Sequence, residues 1–140
     1  MANSRRLTGL TAGSRFVVDS SAWVEYLEGL KDGKKAKEII EGEGNIIITP
    51  RIVMAEVYSK TFRNRGDAEK ARKIIEDLSA PSNEDDETYF LAGRIHAEMK
   101  RKFKNMSLAD AVVLAVSQRA NAKLVTKDFH QKGMDTIYIG

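Results

Sequence analysis

Cysteine is absent from the 140 residues of this sequence, and no apolar run approaches the ~20 residues that a membrane-spanning helix needs. The first absence excludes disulfide bonds and any zinc or iron–sulfur site held by cysteine, and it fits a reducing compartment. The second absence predicts that the protein does not cross a membrane. Together they favour a cytoplasmic location.

Histidine is scarce as well, and the two that are present, His96 and His130, lie far apart in the sequence. Neither has a second histidine at the spacing of a zinc site, so neither is assigned a catalytic or zinc-binding role. Hydrophobic residues make up 42 %, which excludes a disordered chain, and the length fits one domain with a core. The formal net charge of +3 is a mild bias towards polyanionic partners such as nucleic acid.

The N-terminal segment, residues 1–14, does not resemble part of a folded domain. Its apolar stretch "LTGLTAG" is too short and too polar for a signal peptide. We interpret the segment as a disordered tail, an alternative start or a remnant of cloning. Residues 15–140 are then expected to form a single domain.

From residue 15 onwards, short apolar runs alternate with helix-like segments. The runs hold Val, Ile and Leu without polar alternation, which is typical of strands buried on both faces of a parallel sheet. Pro50 suits the first turn of a helix, and Pro81 breaks the chain between two helices. The sequence predicts one α/β domain with a central parallel sheet of about four to five strands and helices on both faces. The predicted strands are 15–19, 45–49, 123–126 and 136–139, and the predicted helices are 20–30, 31–44, 50–63, 66–78, 83–103 and one that follows residue 107.

Four acidic residues are placed where such a sheet gathers functional groups, at the carboxyl ends of its strands. Asp19 ends the first strand, and Asp128 lies two residues beyond the third. Glu56 lies in the helix that follows the second strand, and Asp110 opens the helix that precedes the third. Carboxylates held together repel one another unless cations neutralise them, and Mg²⁺ or Mn²⁺ fits better than zinc where cysteine and paired histidine are missing. The pattern therefore indicates metal-dependent hydrolysis of a phosphodiester.

Each of these acids also has an ordinary structural explanation. Asp110 follows Ser107 at the spacing of a capping box, which begins a helix. Glu56 and Lys60 stand four residues apart, as in a common solvated ion pair. The two acids that follow strands could cap a helix and form a turn. Capping does not exclude metal binding, so both interpretations stay open on spacing alone.

A resemblance to a known family runs from about Arg15 to the C-terminus. Three stretches resemble the PIN domain, and in particular the VapC-type ribonuclease toxins: "VVDSSAWVEYL", "TPRIVMAEVYSK" and "SLADAVVLAVSQRANAKLVTKD". The family pattern is an Asp after the first strand, a Glu in a later helix, an Asp that opens a helix, and a final Asp after a "(V/L)-T-x-D" turn. In this sequence the pattern falls on Asp19, Glu56, Asp110 and Asp128.

The resemblance implies an Mg²⁺- or Mn²⁺-dependent endoribonuclease specific for single-stranded RNA. The three aspartates of the pattern would be metal ligands, and Glu56 would be a ligand or would position the attacking water. Ser20 and Thr126 would orient the carboxylates, as neighbours of metal ligands commonly do. Proteins of the VapC type usually form homodimers, and a small VapB-type antitoxin holds them inactive by inserting side chains near the acidic site.

Basic residues are expected near such a pocket, because the acids alone would repel RNA. Two clusters and one single lysine lie close in sequence to the acids, although each could be a solvated helix face. Aromatic side chains are less suited to this role, since Trp23, Tyr26 and Leu27 share one helix face and are expected in the core or in a dimer contact. The candidate RNA-binding residues are Lys60, Arg63 and Arg65, then Lys100, Arg101, Lys102 and Lys104, and Lys127.

Other phosphate chemistry fits the sequence less well. A haloacid-dehalogenase-like phosphatase needs a second Asp two positions after the nucleophile, where this sequence has Ser21. A response-regulator receiver domain needs an acidic pair at the first strand and an acceptor Asp after a central strand, and "VVDSS" and "IIITP" supply neither. Within the family, an RNA-maturation or quality-control nuclease without antitoxin stays open, as does a PIN module that binds RNA or protein without cutting.

Overall fold

The computed structural model describes residues 14–128 and 135–140, which contain five strands and six helices. All the strand pairs are parallel, and the prediction of an α/β domain with a central parallel sheet is confirmed. The strands are β1 (Arg15–Val18), β2 (Ile46–Thr49), β3 (Ala80–Pro81), β4 (Lys123–Thr126) and β5 (Thr136–Tyr138), in the sheet order β3-β2-β1-β4-β5. The helices are α1 (Ser20–Glu28), α2 (Gly33–Ile40), α3 (Arg51–Arg63), α4 (Ala68–Leu78), α5 (Asp86–Lys100) and α6 (Leu108–Arg119).

The centre of the sheet is covered on both faces. Phe16, Val17 and Val18 of β1 are each fully buried. Because successive side chains of a strand point to opposite faces, complete burial along the strand means that packing covers both sides. Leu124 and Val125 of the neighbouring β4 are buried in the same way. This explains why the strand sequences show no polar alternation.

Capping side chains mark the start of several helices. Asp67 caps α4 by accepting a hydrogen bond from the backbone of Lys70, and Asp85 forms a capping box with Thr88 at the start of α5. Pro50 is the residue before α3 and has an extended backbone, so it lies one position ahead of the predicted first turn. These caps fix where α4 and α5 begin, whereas α2 and α3 begin without a side-chain cap.

Strand β3 was not predicted from the sequence. It is only two residues long and includes Pro81, which the sequence analysis treated as a break between helices. Proline lacks the backbone donor of an interior strand, and β3 accordingly lies at one edge of the sheet. A strand this short has no detectable periodicity, so only its pairing with β2 reveals it.

Ser14, the first residue that the structure describes, pairs with the start of β2. The carbonyl oxygen of Ser14 accepts a hydrogen bond from the backbone of Ile46, so pairing begins one residue earlier than expected. The rest of the expected tail, residues 1–13, lies outside the described residues, as does His130. None of the helices in the described ranges is long and apolar enough to cross a bilayer.

Candidate acidic active site

Asp19 is held at the carboxyl end of β1, where the chain turns into α1. It is the cap of that helix, and its Oδ1 accepts a hydrogen bond from the backbone N–H of Ser20 at 2.8 Å. Its Oδ2 accepts a second bond from the hydroxyl of Thr126, also at 2.8 Å. Thr126 ends β4, the neighbour of β1, so the pairing of two strands far apart in sequence creates this contact. Thr126, which was expected to orient a carboxylate, thus contacts the carboxylate of Asp19 directly.

Burial makes Asp19 unusual as a carboxylate. Only 6 % of the residue is exposed, and burial raises the pKa of its carboxyl from 3.8 to about 6. Hydrogen bonds from Thr126 and Ser20 oppose the rise in pKa, whereas the charges of Glu56 and Asp110 add to it. The two other acids are therefore close enough to Asp19 to disfavour its charged form.

Glu56 faces the same region from α3. Partial burial raises the pKa of its carboxyl, a hydrogen bond from the side chain of Ser20 lowers it, and the charge of Asp110 raises it again. Ser20, which was expected to orient a carboxylate, thus contacts two of them. Its side chain bonds to Glu56 and its backbone N–H bonds to Asp19. Glu56 forms no ion pair with Lys60 in the described part of the chain. The interpretation of these two residues as a simple solvated pair is therefore wrong.

Asp110 is a helix cap whose charge also acts on the other acids. Its Oδ2 accepts a hydrogen bond from the backbone of Ser107 at 2.9 Å, and the Ser107 hydroxyl accepts one from the backbone of Asp110 at 3.0 Å. The predicted capping box at the start of α6 is therefore confirmed. At the same time the charge of Asp110 acts on Asp19 and Glu56. The cap fixes the position of an acid that also belongs to the site.

Asp128 lies two residues beyond β4, at the same edge of the sheet. Its backbone N–H donates to the hydroxyl of Thr126 at 2.9 Å, and that hydroxyl donates in turn to Asp19. Thr126 therefore links the two aspartates that follow β1 and β4. Three of the predicted acids thus lie next to the end of an element, Asp19 after β1, Asp110 in the first turn of α6 and Asp128 after β4, whereas Glu56 reaches the same region from the middle of α3.

The acids do not form a closed metal cage in this arrangement. Within residues 14–128 and 135–140, no three acidic or histidine side chains are grouped so that they could hold one ion. Carboxylate oxygens of Asp19 and Asp110 are engaged instead by the donors of Ser20, Thr126 and Ser107. The donor atoms themselves, carboxylate and hydroxyl oxygens without sulfur or imidazole, are those that Mg²⁺ and Mn²⁺ prefer.

Ser21 is a site residue that the sequence analysis did not assign. Its hydroxyl lies 3.2 Å from the hydroxyl of Thr126 and accepts a hydrogen bond from the backbone of Lys127 at 2.9 Å. It thus fastens the turn after β4 to the first turn of α1. The sequence signal was its place two residues after Asp19, which was used only to argue against a phosphatase.

Lys127 forms ion pairs within the protein. Its Nζ lies 3.1 Å from Oε2 of Glu25 and 3.3 Å from Oδ2 of Asp32, and these pairs raise the pKa of the ammonium. Glu25 is only 8 % exposed, so a buried carboxylate depends on this cation. The charge of Lys127 is thus matched by two acids of the protein, and its contact with RNA stays a prediction.

The basic cluster before Asp110 is also partly committed to the fold. The Nζ of Lys100, at the end of α5, donates to the carbonyl oxygens of Lys104 and Met106. Lys102 lies over the ring of Phe103, with 5.7 Å from Nζ to the ring centroid. Lys100 therefore holds the segment between α5 and α6 rather than the last turn of its own helix. Arg101 and Lys104 are exposed at this end of α5.

The first basic cluster lies beside a cavity. The cavity has a volume of about 450 Å³ and lies between α1 and α3. Lys60 and Arg63 of α3 line it together with Glu56 and Ser20 of the acidic site. The structure thus brings this basic pair, and not Lys127, to an open space next to the acids.

The family of the chain follows from a match along most of its length. The family model of the PIN domain matches residues 16–136, which include all four acids. The chain belongs to the PIN domain family. The four acids of the sequence pattern all lie within the matched part of this PIN domain. No curated protein matches this PIN domain in sequence.

Solved structures with the same fold include toxins of bacterial toxin–antitoxin pairs. A chain of a toxin–antitoxin complex from Klebsiella pneumoniae is 17 % identical with a TM-score of 0.71, over 89 % of this PIN domain chain and 97 % of that chain. A chain of VapBC2 from Rickettsia felis, solved bound to a DNA fragment from its promoter, is 16 % identical with a TM-score of 0.68, over 89 % of this chain and 96 % of that chain. VapC20 of Mycobacterium tuberculosis, a toxin that cleaves the sarcin–ricin loop, is 19 % identical with a TM-score of 0.64, over 81 % of this chain and 88 % of that chain. At these identities the likeness establishes a shared fold.

Proposed function

We propose that this PIN domain protein is a metal-dependent endoribonuclease that cleaves single-stranded RNA. The observation that carries the proposal is the convergence of Asp19, Glu56 and Asp110, with a buried Asp19 whose pKa is about 6. A nearby cation favours the charged form of such carboxylates and reduces their repulsion of a polyanionic substrate. The structurally similar toxin of M. tuberculosis cleaves the sarcin–ricin loop, which is RNA, and this supports RNA as the substrate.

Mg²⁺ or Mn²⁺ would be held by Asp19, Asp110 and Asp128, with Glu56 as a further ligand or as the group that positions water. A bound ion of this kind lowers the pKa of its water and stabilises the leaving oxygen of a phosphodiester. The oxygen donors of the site fit this choice of ion. Because no three of the acids are grouped around one point in the described residues, binding is expected to draw their carboxylates together.

The chain itself orients the acids and moves the proton. Hydrogen bonds from Ser20 and Thr126 fix the carboxylate of Asp19, and the Ser107 backbone fixes that of Asp110. Glu56, whose pKa is raised by burial and by its acidic neighbour, is suited to accept the proton of the attacking water. The hydrogen bond from the Ser20 hydroxyl opposes this rise in the pKa of Glu56, because it favours the carboxylate.

The proposal predicts that Mg²⁺ or Mn²⁺ supports cleavage of single-stranded RNA and that EDTA abolishes it. The Asp110→Asn protein is expected to lose about 10²-fold in the cleavage rate, because it lacks one negative charge of the metal site. Cleavage is measured on end-labelled single-stranded and duplex RNA of the same sequence.

The matched control for this substitution is Ser107→Ala. It removes the hydroxyl of the same capping box, at a cost of about 1 kcal/mol in stability, but leaves the carboxylate of Asp110 in place. Its cleavage rate is expected to stay within about twofold of wild type. Full activity of a folded Asp110→Asn protein would show that the residue is only a helix cap. Wild-type protein that binds RNA without cutting it, even with Mn²⁺, would favour a non-cleaving PIN module.

We propose further that the partner is a small VapB-type antitoxin, since the similar solved structures include VapBC complexes. A short reading frame directly upstream of the gene should encode it. The purified product of that frame is expected to bind this protein and to stop cleavage at equimolar concentration, measured in the same RNA assay. Unchanged cleavage in its presence would contradict the toxin–antitoxin proposal and favour an RNA-maturation nuclease. Formation of a homodimer stays a prediction.

A further inference from the structure

One cavity of the structure joins groups of opposite charge. It has a volume of about 450 Å³, which lies in the range of small-molecule sites. At one end it is lined by Ser20 and Glu56, which belong to the acidic site, and at the other by Lys60 and Arg63. The remaining wall consists of Ser21, Val24, Ala55 and Ser59. The cavity therefore runs directly from the proposed cleavage site to two cations.

The helix geometry explains this arrangement. Glu56, Lys60 and Arg63 are separated by four and three residues on α3, so they follow one another along a single face of the helix. At a rise of about 1.5 Å per residue, the two cations lie roughly 6 and 10 Å beyond Glu56 along the helix axis. An extended polyanion that enters the site at Glu56 can therefore meet the cations one after the other.

The two cations are free of acidic partners in the described part of the chain. Neither Lys60 nor Arg63 forms an ion pair there, and Arg63 contacts only the hydroxyl of Ser59, at 3.4 Å. Other cations are neutralised by the protein itself, as Arg72 is by Glu69 and Glu76. An unneutralised pair that lines a cavity is therefore available for an external anion.

We infer that this cavity is a subsite for the RNA backbone on one side of the cleaved bond, in which Lys60 and Arg63 contact phosphates of a single strand. The inference rests on the proposed function, because the acidic end of the cavity is the proposed cleavage site. Because the cavity is a concave space between α1 and α3, we expect it to admit a single strand more readily than a duplex, which is wider. The subsite thereby selects single-stranded RNA and fixes its position relative to Glu56.

The test is the binding of a fluorescein-labelled single-stranded RNA to Lys60→Gln/Arg63→Gln protein in EDTA, measured by anisotropy over a range of salt concentrations. We expect the Kd to rise at least about 10-fold and the slope of log K against log salt to fall by about 1.4, since each phosphate contact to a single strand contributes about 0.7. In Mg²⁺ or Mn²⁺ the KM for cleavage should rise while kcat stays within about twofold. Binding of duplex RNA should change little.

The matched control is Arg72→Gln/Lys73→Gln, which removes two positive charges of the same kinds, but from α4. Both side chains are exposed and pair with acids of their own helix, so this variant is expected to bind RNA as the wild type does. An equal loss in both double variants would overturn the inference, because net charge alone would explain it. An equal loss for duplex RNA, or an unchanged salt slope, would overturn it as well. Wild-type protein that shows the expected binding but no cleavage would overturn only the proposed function.

Discussion

Metal-free Asp19→Asn protein is expected to be more stable than wild type near pH 8, while its RNA cleavage falls by at least about 10³-fold. Asp19 is 6 % exposed, and its carboxyl has its pKa raised to about 6, so the folded protein holds a charge that its surroundings disfavour. Asparagine has the same shape without the charge. Its oxygen can still accept from the backbone of Ser20, and its amide can donate to Thr126.

The sign of the pH dependence follows from the two pKa values of Asp19. In the folded protein the carboxyl has a pKa of about 6, whereas the ordinary value is 3.8. Between these pH values the folded state binds more protons than the unfolded state. The stability of wild type therefore falls as the pH rises through this window. The difference corresponds to about 3 kcal/mol at 1.36 kcal/mol per pKa unit, which is an upper limit. The gain in the variant is therefore largest above about pH 6 and vanishes below about pH 4.

Urea unfolding at several pH values in EDTA measures this gain, and the RNA assay measures the loss of activity. Asp67→Asn is the matched control, because Asp67 is also a helix cap that accepts a backbone hydrogen bond, but it is exposed. That variant should show neither a pH-dependent gain nor a loss of cleavage, since Asn caps helices as well as Asp. An Asp19→Asn protein less stable than wild type at high pH would refute the assignment of a strained buried charge.

Trp23→Ala is expected to lower the free energy of unfolding by about 3–5 kcal/mol. Trp23 is fully buried, and its Nε1–H donates to the hydroxyl of Thr49 at 3.1 Å. That hydroxyl lies 2.7 Å from the hydroxyl of Ser79, which donates to the carbonyl of Ile75. The indole therefore fills the core and also completes a hydrogen-bonded chain that joins α1, β2 and α4. Its removal leaves a large cavity as well as a buried hydroxyl with one fewer partner.

Trp23→Phe separates the two contributions, because it keeps most of the apolar volume and removes the hydrogen bond. Its loss should be about 1–2 kcal/mol, well below that of Trp23→Ala. Urea unfolding followed by circular dichroism gives both values, since Trp23 is the single tryptophan of the chain and its fluorescence disappears in the variants. A loss below about 1 kcal/mol in the alanine variant would contradict the central position of this side chain.

The sequence was sufficient for the parallel sheet and for the positions of the acids. The sheet depends on continuous apolar runs, and Asp19 and Asp128 follow two of these runs within two residues, so both signals are local. Glu56 and Asp110 lie on helices, and their positions rested on the family resemblance as well. Trp23 was expected in the core or a dimer contact, and its burial within one chain shows that the core is its place. The sequence also placed the cap of α6 correctly, because a capping box is a local pattern.

The sequence could not show which charges the fold neutralises. Lys127 and Lys60 looked equally suited to RNA, but only the pairing of β4 beside α1 brings Glu25 and Asp32 to Lys127. The link from Ser21 to Thr126 has the same origin, since it joins residues on two elements that become neighbours only in the fold. How closely the carboxylates approach one another depends on hydrogen bonds to Ser20, Thr126 and Ser107, and no spacing rule encodes that distance.

The contact between Asp19 and Thr126 spans 107 residues of sequence, and it has a consequence for synthesis of the protein. The central strand β1 leaves the ribosome first, but its partner β4 is among the last elements to be made. A nascent chain that ends before α6 has Asp19 and Glu56 but neither Asp110 nor Thr126. Such a chain cannot assemble the site, so the proposed cleavage of RNA could begin only when translation is nearly complete.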